Sequence, residues 1–142
     1  MLTNTRTIRV QWGDCDPAGI VSYPRYFEWF DAGTILLFEK ATGLTKIKIK
    51  MLEKYNGAGL TLIEAGAKFA VPSQYGDDIE VTTSVKEFGR SSFSMQHKVT
   101  KAGTPALEGF EKRVWTARHP NDKNRLCSAP IPAEVLAGFK RP

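Results

Sequence analysis

Asp14, Cys15 and Asp16 stand side by side in the segment Gly13–Ile20, GDCDPAGI, and three kinds of chemistry are open to them. A carboxylate can attack an activated carbonyl or draw a proton from water. A thiolate can also attack a carbonyl. An aspartate can equally do no chemistry and hold a turn, a frequent role for Asp before Pro. Cys15 is the weakest candidate, because two flanking carboxylates oppose a thiolate and no histidine is near in sequence. Asp14 reads best as an acceptor for loop amides. For Asp16 the residue types leave both readings open, a turn made with Pro17 or a reactive group.

A nucleophile needs an electrophile held in place, and the sequence offers a holder seven residues on. Ser22-Tyr23-Pro24 reads as a helix start, since proline is tolerated in the first turn. Gly43 supplies the stop after about Ala41. A helix N-terminus carries unpaired N–H groups and the positive end of the dipole, the features a developing oxyanion requires. Pro24 has no N–H, so the donor is Tyr23 or a neighbour such as Arg25.

Along that helix Tyr26, Phe27, Phe30, Thr34, Leu37, Phe38 and Ala41 share one broad apolar arc. Arg25, Glu28, Glu39 and Lys40 oppose it, yet Trp29, Ile35 and Leu36 also fall on the polar side. A helix so apolar is expected to be covered on most of its surface. Asp31 borders the arc beside Phe27 and Phe38. A contact with a bound ligand and a polar contact with a sheet both suit it.

The rest of the chain must position this helix. Thr7–Trp12 alternate and read as a strand. The KIKIK segment is ambiguous, with a short helix from Lys46 to Tyr55 as one reading. From Leu60 the period becomes two. Ile63, Ala65, Ala67, Phe69 and Val71 share one face, and small Ala65 and Ala67 would let a helix lie close. Ile79, Val81, Thr83 and Val85 give a third strand, and Phe88-Gly89-Arg90-Ser91 a tight hairpin. Phe93, Met95, His97 and Val99 give a fourth strand, on which His97 reads as a satisfied core histidine. Ala106 to His119 gives a fifth, with a bulge expected between Phe110 and Val114 where the facing pattern breaks. HPNDKNR reads as a polar loop containing His119, and a short helix starts at Pro132. Strands joined by such short turns are antiparallel. One helix buried by one antiparallel sheet makes a two-layer α+β domain. Trp29, Leu36 and the apolar loop region hint at self-association.

Composition bounds the function. A chain of 142 residues makes a single domain, 1–142. Its 42% hydrophobic and 25% charged residues are ordinary for a soluble protein. The start MLTNTRTIRV has no apolar core for a signal peptide, and no apolar run approaches a membrane span. The expected location is the cytoplasm, with no membrane partner. The net charge of +5 is scattered, so a nucleic-acid partner is not indicated, while a small polyanion would suit it. Cys15 and Cys127 make no disulfide framework. Neither histidine has metal-ligand spacing with them, and no G-x-S-x-G elbow is present.

Read together, WGDCDPAGIVSYPRYFEWFD and the order of elements resemble the hot-dog fold, specifically the 4-hydroxybenzoyl-CoA thioesterase family in its Pseudomonas-type branch. The similarity is sharpest over Gly13–Asp31 and runs more diffusely through KEFGRSSF and the closing PIPAEV. The resemblance implies an antiparallel five-stranded sheet wrapped around the long helix, and hydrolysis of an acyl-CoA thioester, aromatic such as 4-hydroxybenzoyl-CoA or short. It implies that Asp16 is the catalytic carboxylate and Tyr23 the backbone donor, with no metal and no cofactor beyond the coenzyme A of the substrate. Many relatives place a histidine after the tyrosine. Pro24 stands here, as in the hydroxybenzoyl branch. The basic run that grips the nucleotide in near relatives is reduced to Arg90 among Gly89, Ser91 and Ser92. Asp31, Arg90, Ser91 and Ser92 are thus the expected substrate contacts, in a homodimer that pairs into a homotetramer. A hot-dog hydratase or dehydratase is the rival enzyme reading, disfavoured because SYPRY lacks a histidine. A non-catalytic module binding an acyl thioester is the third.

Overall fold

Alternation of apolar and polar residues builds most of the sheet. In the computed structural model, which describes residues 1–46 and 53–140, six strands and two helices follow in the order β1 (Thr3–Arg9), α1 (Tyr23–Thr42), β2 (Gly57–Phe69), β3 (Asp78–Phe88), β4 (Ser92–Lys101), β5 (Thr104–His119), β6 (Asp122–Ser128) and α2 (Ala133–Phe139). The sheet is antiparallel, ordered β1-β3-β4-β5-β2, with β6 pairing β5 as a sixth strand beyond the five expected. HPNDKNR is therefore not only a loop. Its polar residues form half of a hairpin exposed on nearly every position, where no hydrophobic pattern could announce a strand. The proposed helix from Lys46 to Tyr55 falls mostly outside the described residues; of those described, 53–55 are helical.

α1 starts and stops as its sequence dictates. Tyr23 and Pro24 open it, and Gly43 ends it in the left-handed conformation, φ 70°. Its buried residues are Tyr26, Phe30, Gly33, Thr34, Leu37, Phe38 and Ala41. They meet the inward faces of β3 (Ile79, Val81, Thr83, Val85) and β4 (Phe93, Met95, His97, Val99), all buried. The close approach of helix to sheet occurs at Gly33 against Thr83 and at Gly109 under the Phe30 ring, where a Cβ would collide. The small residues expected to allow it, Ala65 and Ala67, lie on edge strand β2, and Ala65 is exposed there. Ile63 and Phe69 of the same face are likewise exposed in the single chain.

The bulge expected within β5 is absent. Glu111, Arg113 and Trp115 stay in phase on the inward face, all buried, and the irregularity falls across the ladder, between Leu62 and Glu64 of β2. Charged residues at inward positions imitate a broken pattern.

Candidate active site

The segment between β1 and α1 is folded back on itself. The Gln11 N–H donates to Asp14 Oδ2 at 2.8 Å, and the Ser22 N–H to the Asp14 carbonyl oxygen at 2.8 Å. Arg25 Nε lies 3.5 Å from Asp14 Oδ1. Asp14 thus ties the loop entrance to the helix start, as an acceptor for loop amides. Further on, the Asp16 N–H donates to the Ile20 carbonyl and the Gly19 N–H to the Asp16 carbonyl, each at 2.9 Å. Gly19 sits at φ 83°, a turn conformation that glycine adopts without a Cβ penalty. Single bridges Cys15–Val21 and Ile20–Gln74 fasten the loop to itself and to the turn before β3. Cys15 is a free thiol facing the Gln11 carbonyl at 3.8 Å.

This folding brings Asp16 to the start of α1. Asp16 and Tyr23 line one cavity of about 410 Å³, walled by Val21, Tyr26 and Phe69 among others. Asp16 Oδ1 accepts the Ala18 N–H at 2.8 Å, so the residue does make the turn that its sequence allowed. Its Oδ2 has no hydrogen-bond partner among the described residues. One carboxylate oxygen holds the loop and the other is unpaired among the described residues. At the helix mouth the Arg25 N–H is taken by the Ser22 carbonyl at 3.0 Å, Pro24 has none, and the Ser22 hydroxyl makes no cap. The Tyr23 N–H is the donor left at the mouth without a partner among the described residues. A larger hollow of about 530 Å³ lies against the sheet over Gly66, Gln96 and Phe110; its carboxylate, Glu108, accepts from Gln96 Nε2 at 2.6 Å, and no helix mouth stands beside it. Chemistry, not size, selects the site.

Asp31 lies two ridge steps along α1 from Tyr23, in the row Tyr23–Phe27–Asp31 spaced by four. The Tyr23 and Phe27 rings meet edge to face at 6.4 Å. Asp31 is half exposed, and its Oδ1 accepts from Arg113 Nη2 at 2.8 Å. Arg90, Ser91 and Ser92 lie elsewhere, at the β3–β4 hairpin. There the Ile131 N–H donates to the Arg90 carbonyl and the Trp115 N–H to the Ser91 carbonyl. β3 runs from that hairpin to Asp78, beside the turn that anchors the Asp16 loop, about 33 Å of strand. Within one chain Asp16 and Tyr23 come together, whereas Arg90, Ser91 and Ser92 stay at the far end of the sheet.

Sequence reasoning missed the group that holds Asp31. Arg113, 4% exposed, forks onto Glu111 through Nε (3.1 Å) and Nη2 (2.7 Å) and donates through Nη1 to the Leu60 carbonyl at 2.8 Å. Glu111, 3% exposed, also accepts from the Thr34 hydroxyl and faces His97 Nε2 at 3.1 Å. His97 Nδ1 meets the Thr83 hydroxyl at 2.9 Å, and Phe30 stacks on the imidazole at 4.6 Å. His97 is thus the satisfied core histidine its strand position suggested. Burial alone would push the Glu111 carboxyl up, but hydrogen bonds from His97, Arg113 and Thr34 outweigh it and hold the group at about 2. Burial would lower Arg113, but its bonds to Glu111 and Asp31 raise it above the ordinary value. The signal was the phase of Glu111 and Arg113 with Gly109 and Trp115, read along β5 without assuming that charges face water.

A one-layer sheet curled on a long helix, with a carboxylate loop folded against the helix mouth, defines a hot-dog enzyme. The chain belongs to the Thioesterase-like superfamily, whose family model matches residues 10–139. Within it the chain is a thioesterase of the 4-hydroxybenzoyl-CoA thioesterase family. It is 33% identical to the 4-hydroxybenzoyl-CoA thioesterase of Pseudomonas sp. (strain CBS-3) over 134 residues, 90% of this chain and 91% of that one. It superposes on a crystal structure of 4-hydroxybenzoyl CoA thioesterase, an aspartate-to-asparagine mutant complexed with 4-hydroxybenzoyl CoA, with a TM-score of 0.86 at 31% identity, covering 97% of this chain and 99% of that one. A gentisyl-coenzyme A thioesterase structure matches with a TM-score of 0.77 at 29% identity, covering 97% and 100%.

Proposed function

We propose that the chain hydrolyses an aromatic acyl-CoA thioester of the 4-hydroxybenzoyl kind, with short acyl groups as poorer substrates. The observation that carries this reading is the shared cavity of Asp16 and Tyr23, which sets an under-bonded carboxylate beside an unpaired helix N–H. The thioester carbonyl oxygen accepts from the Tyr23 N–H, a donor of a kind worth roughly 3–4 kcal/mol to the transition state. Asp16 attacks the carbonyl carbon or draws a proton from the water that does. Eight residues along α1 from Tyr23, about 12 Å, Asp31 closes the row. That span suits a benzoyl group with a hydrogen bond at each end. Asp31 is the contact for the far end of the acyl group, and the aromatic strip between favours a flat ring.

Arg90, Ser91 and Ser92 are assigned to the nucleotide phosphates. The length of β3 supports a role for them at the active site of another copy of the chain rather than their own. Edge strand β2 supports such an assembly, since it exposes Leu62, Ile63 and Phe69 beside an unpaired ladder. A homodimer pairing into a homotetramer in the cytoplasm, acting without a metal or added cofactor, completes the reading. The test is a panel of aryl- and alkyl-CoA thioesters with free thiol followed continuously. Fastest release from the benzoyl class is expected. Release confined to long alkyl thioesters would overturn the substrate assignment.

A further inference from the structure

The Asp31 carboxylate is half exposed, yet it is not free to choose its direction. Its Oδ1 is held by Arg113 Nη2 at 2.8 Å, and Arg113 is itself buried and bonded on every side. Both edges of the Arg113 guanidinium are occupied, by Glu111 on Nε and Nη2 and by the Leu60 carbonyl on Nη1. Glu111 is fixed in turn by Thr34, one turn past Asp31 on α1, and by His97 of β4. The cluster thus joins the helix that carries Asp31 to β4 and β5. Such a fork is rigid in a way that a lysine would not be.

We propose that Arg113, clamped by Glu111, is a positioning residue that aims Asp31 at the far end of the acyl group and so sets selectivity for a hydroxylated ring. This rests on the reading of Asp31 as an acyl contact. One oxygen of Asp31 is spent on Arg113, which leaves the other as a hydrogen-bond acceptor on a half-exposed side chain. A carboxylate oxygen so placed favours a ring bearing a hydroxyl and gains nothing from an unsubstituted one. A hydrogen bond to a charged group is worth enough to give about tenfold or more in discrimination.

The experiment measures kcat and KM for 4-hydroxybenzoyl-CoA and benzoyl-CoA with the full-length wild type, Asp31→Asn, Arg113→Lys and the double variant. The readout is the ratio of kcat/KM for the two substrates. Arg113→Lys is expected to cut that ratio about tenfold, chiefly through KM for the hydroxylated substrate. The double variant is expected to lose no more than Asp31→Asn alone, because Arg113 acts through Asp31. The paired variant Glu111→Gln, Arg113→Met removes both buried charges together, which proteins tolerate better than removing one. It is expected to show the same loss and serves where Arg113→Lys does not fold. A wild-type ratio in the Arg113 variants, or losses that multiply in the double variant, would overturn the inference while leaving the thioesterase reading intact. No thiol release by the wild type from either substrate would overturn both.

Discussion

The chain keeps two carboxylates beside α1 in opposite states. At the mouth of the helix, Asp16 is partly exposed and satisfied on one oxygen only. At its middle, Glu111 is buried and takes four hydrogen bonds, from Thr34, His97 and twice from Arg113. The first arrangement leaves a carboxylate able to change partners during a reaction. The second allows no change, since a buried charge without its partners costs several kcal/mol. An under-bonded carboxylate and a fully bonded one thus stand along one helix. The loop that carries Asp16 is fastened by backbone hydrogen bonds, while the helix that carries Tyr23 is fastened by buried charge.

The sharpest way to break this contrast is Glu111→Ala. It takes from Arg113 its buried partner, leaving only half-exposed Asp31 and the Leu60 carbonyl, and is expected to lower stability by about 3 kcal/mol in urea unfolding. An effect near zero would mean that the cluster is not the anchor. Acid offers a milder route to the same group. The folded Glu111 carboxyl titrates at about 2, below its ordinary 4.5, so its contribution is fully present above about pH 4.5 and disappears as pH falls toward 2. The shift corresponds to a loss of the order of 3 kcal/mol, measured as the amount by which the fall in unfolding free energy between pH 6 and pH 2.5 is larger in the wild type than in Glu111→Gln. Asp14→Ala should cost less, about 1 kcal/mol, because it removes the Gln11 N–H bond and the Arg25 contact from a surface loop. Its activity should fall by more than its stability, as the Asp16 loop loses its tie to the helix start. The smallest effect is expected for Arg9→Ala. Its bidentate pair with Asp78 is exposed on both sides, and thermal unfolding should register no change.

How much of this was legible follows from where each pattern was simple. β3 and β4 bury one face against α1, and their strict alternation announced them. The helix declared its ends through Pro24 and Gly43, and the loop chemistry was visible in GDCDP because reactive residue types crowd there. β5 was legible as a strand but not as a charged one, since Glu111 and Arg113 on an inward face mimic a change of register. β6 carries almost no apolar residues and so has no period to read. Ile63, Ala65 and Phe69 of β2 read as one packing face from their period of two, but in the single chain they stay exposed, with Phe69 meeting the Tyr26 ring edge to face at 5.8 Å. The union of Asp16 with Tyr23 could be suspected from their spacing. The separation of Arg90 from both could not, because it depends on which end of β3 each turn occupies.

The claim at the centre is that Asp16 serves the reaction and not merely the turn. It is tested most directly by kcat of purified Asp16→Asn on 4-hydroxybenzoyl-CoA, beside its thermal unfolding. Asparagine can keep the Ala18 N–H bond through its side-chain oxygen, so the fold should stand while kcat falls by about 10²–10⁴. A variant that unfolds like the wild type and turns over at the wild-type rate would contradict the account.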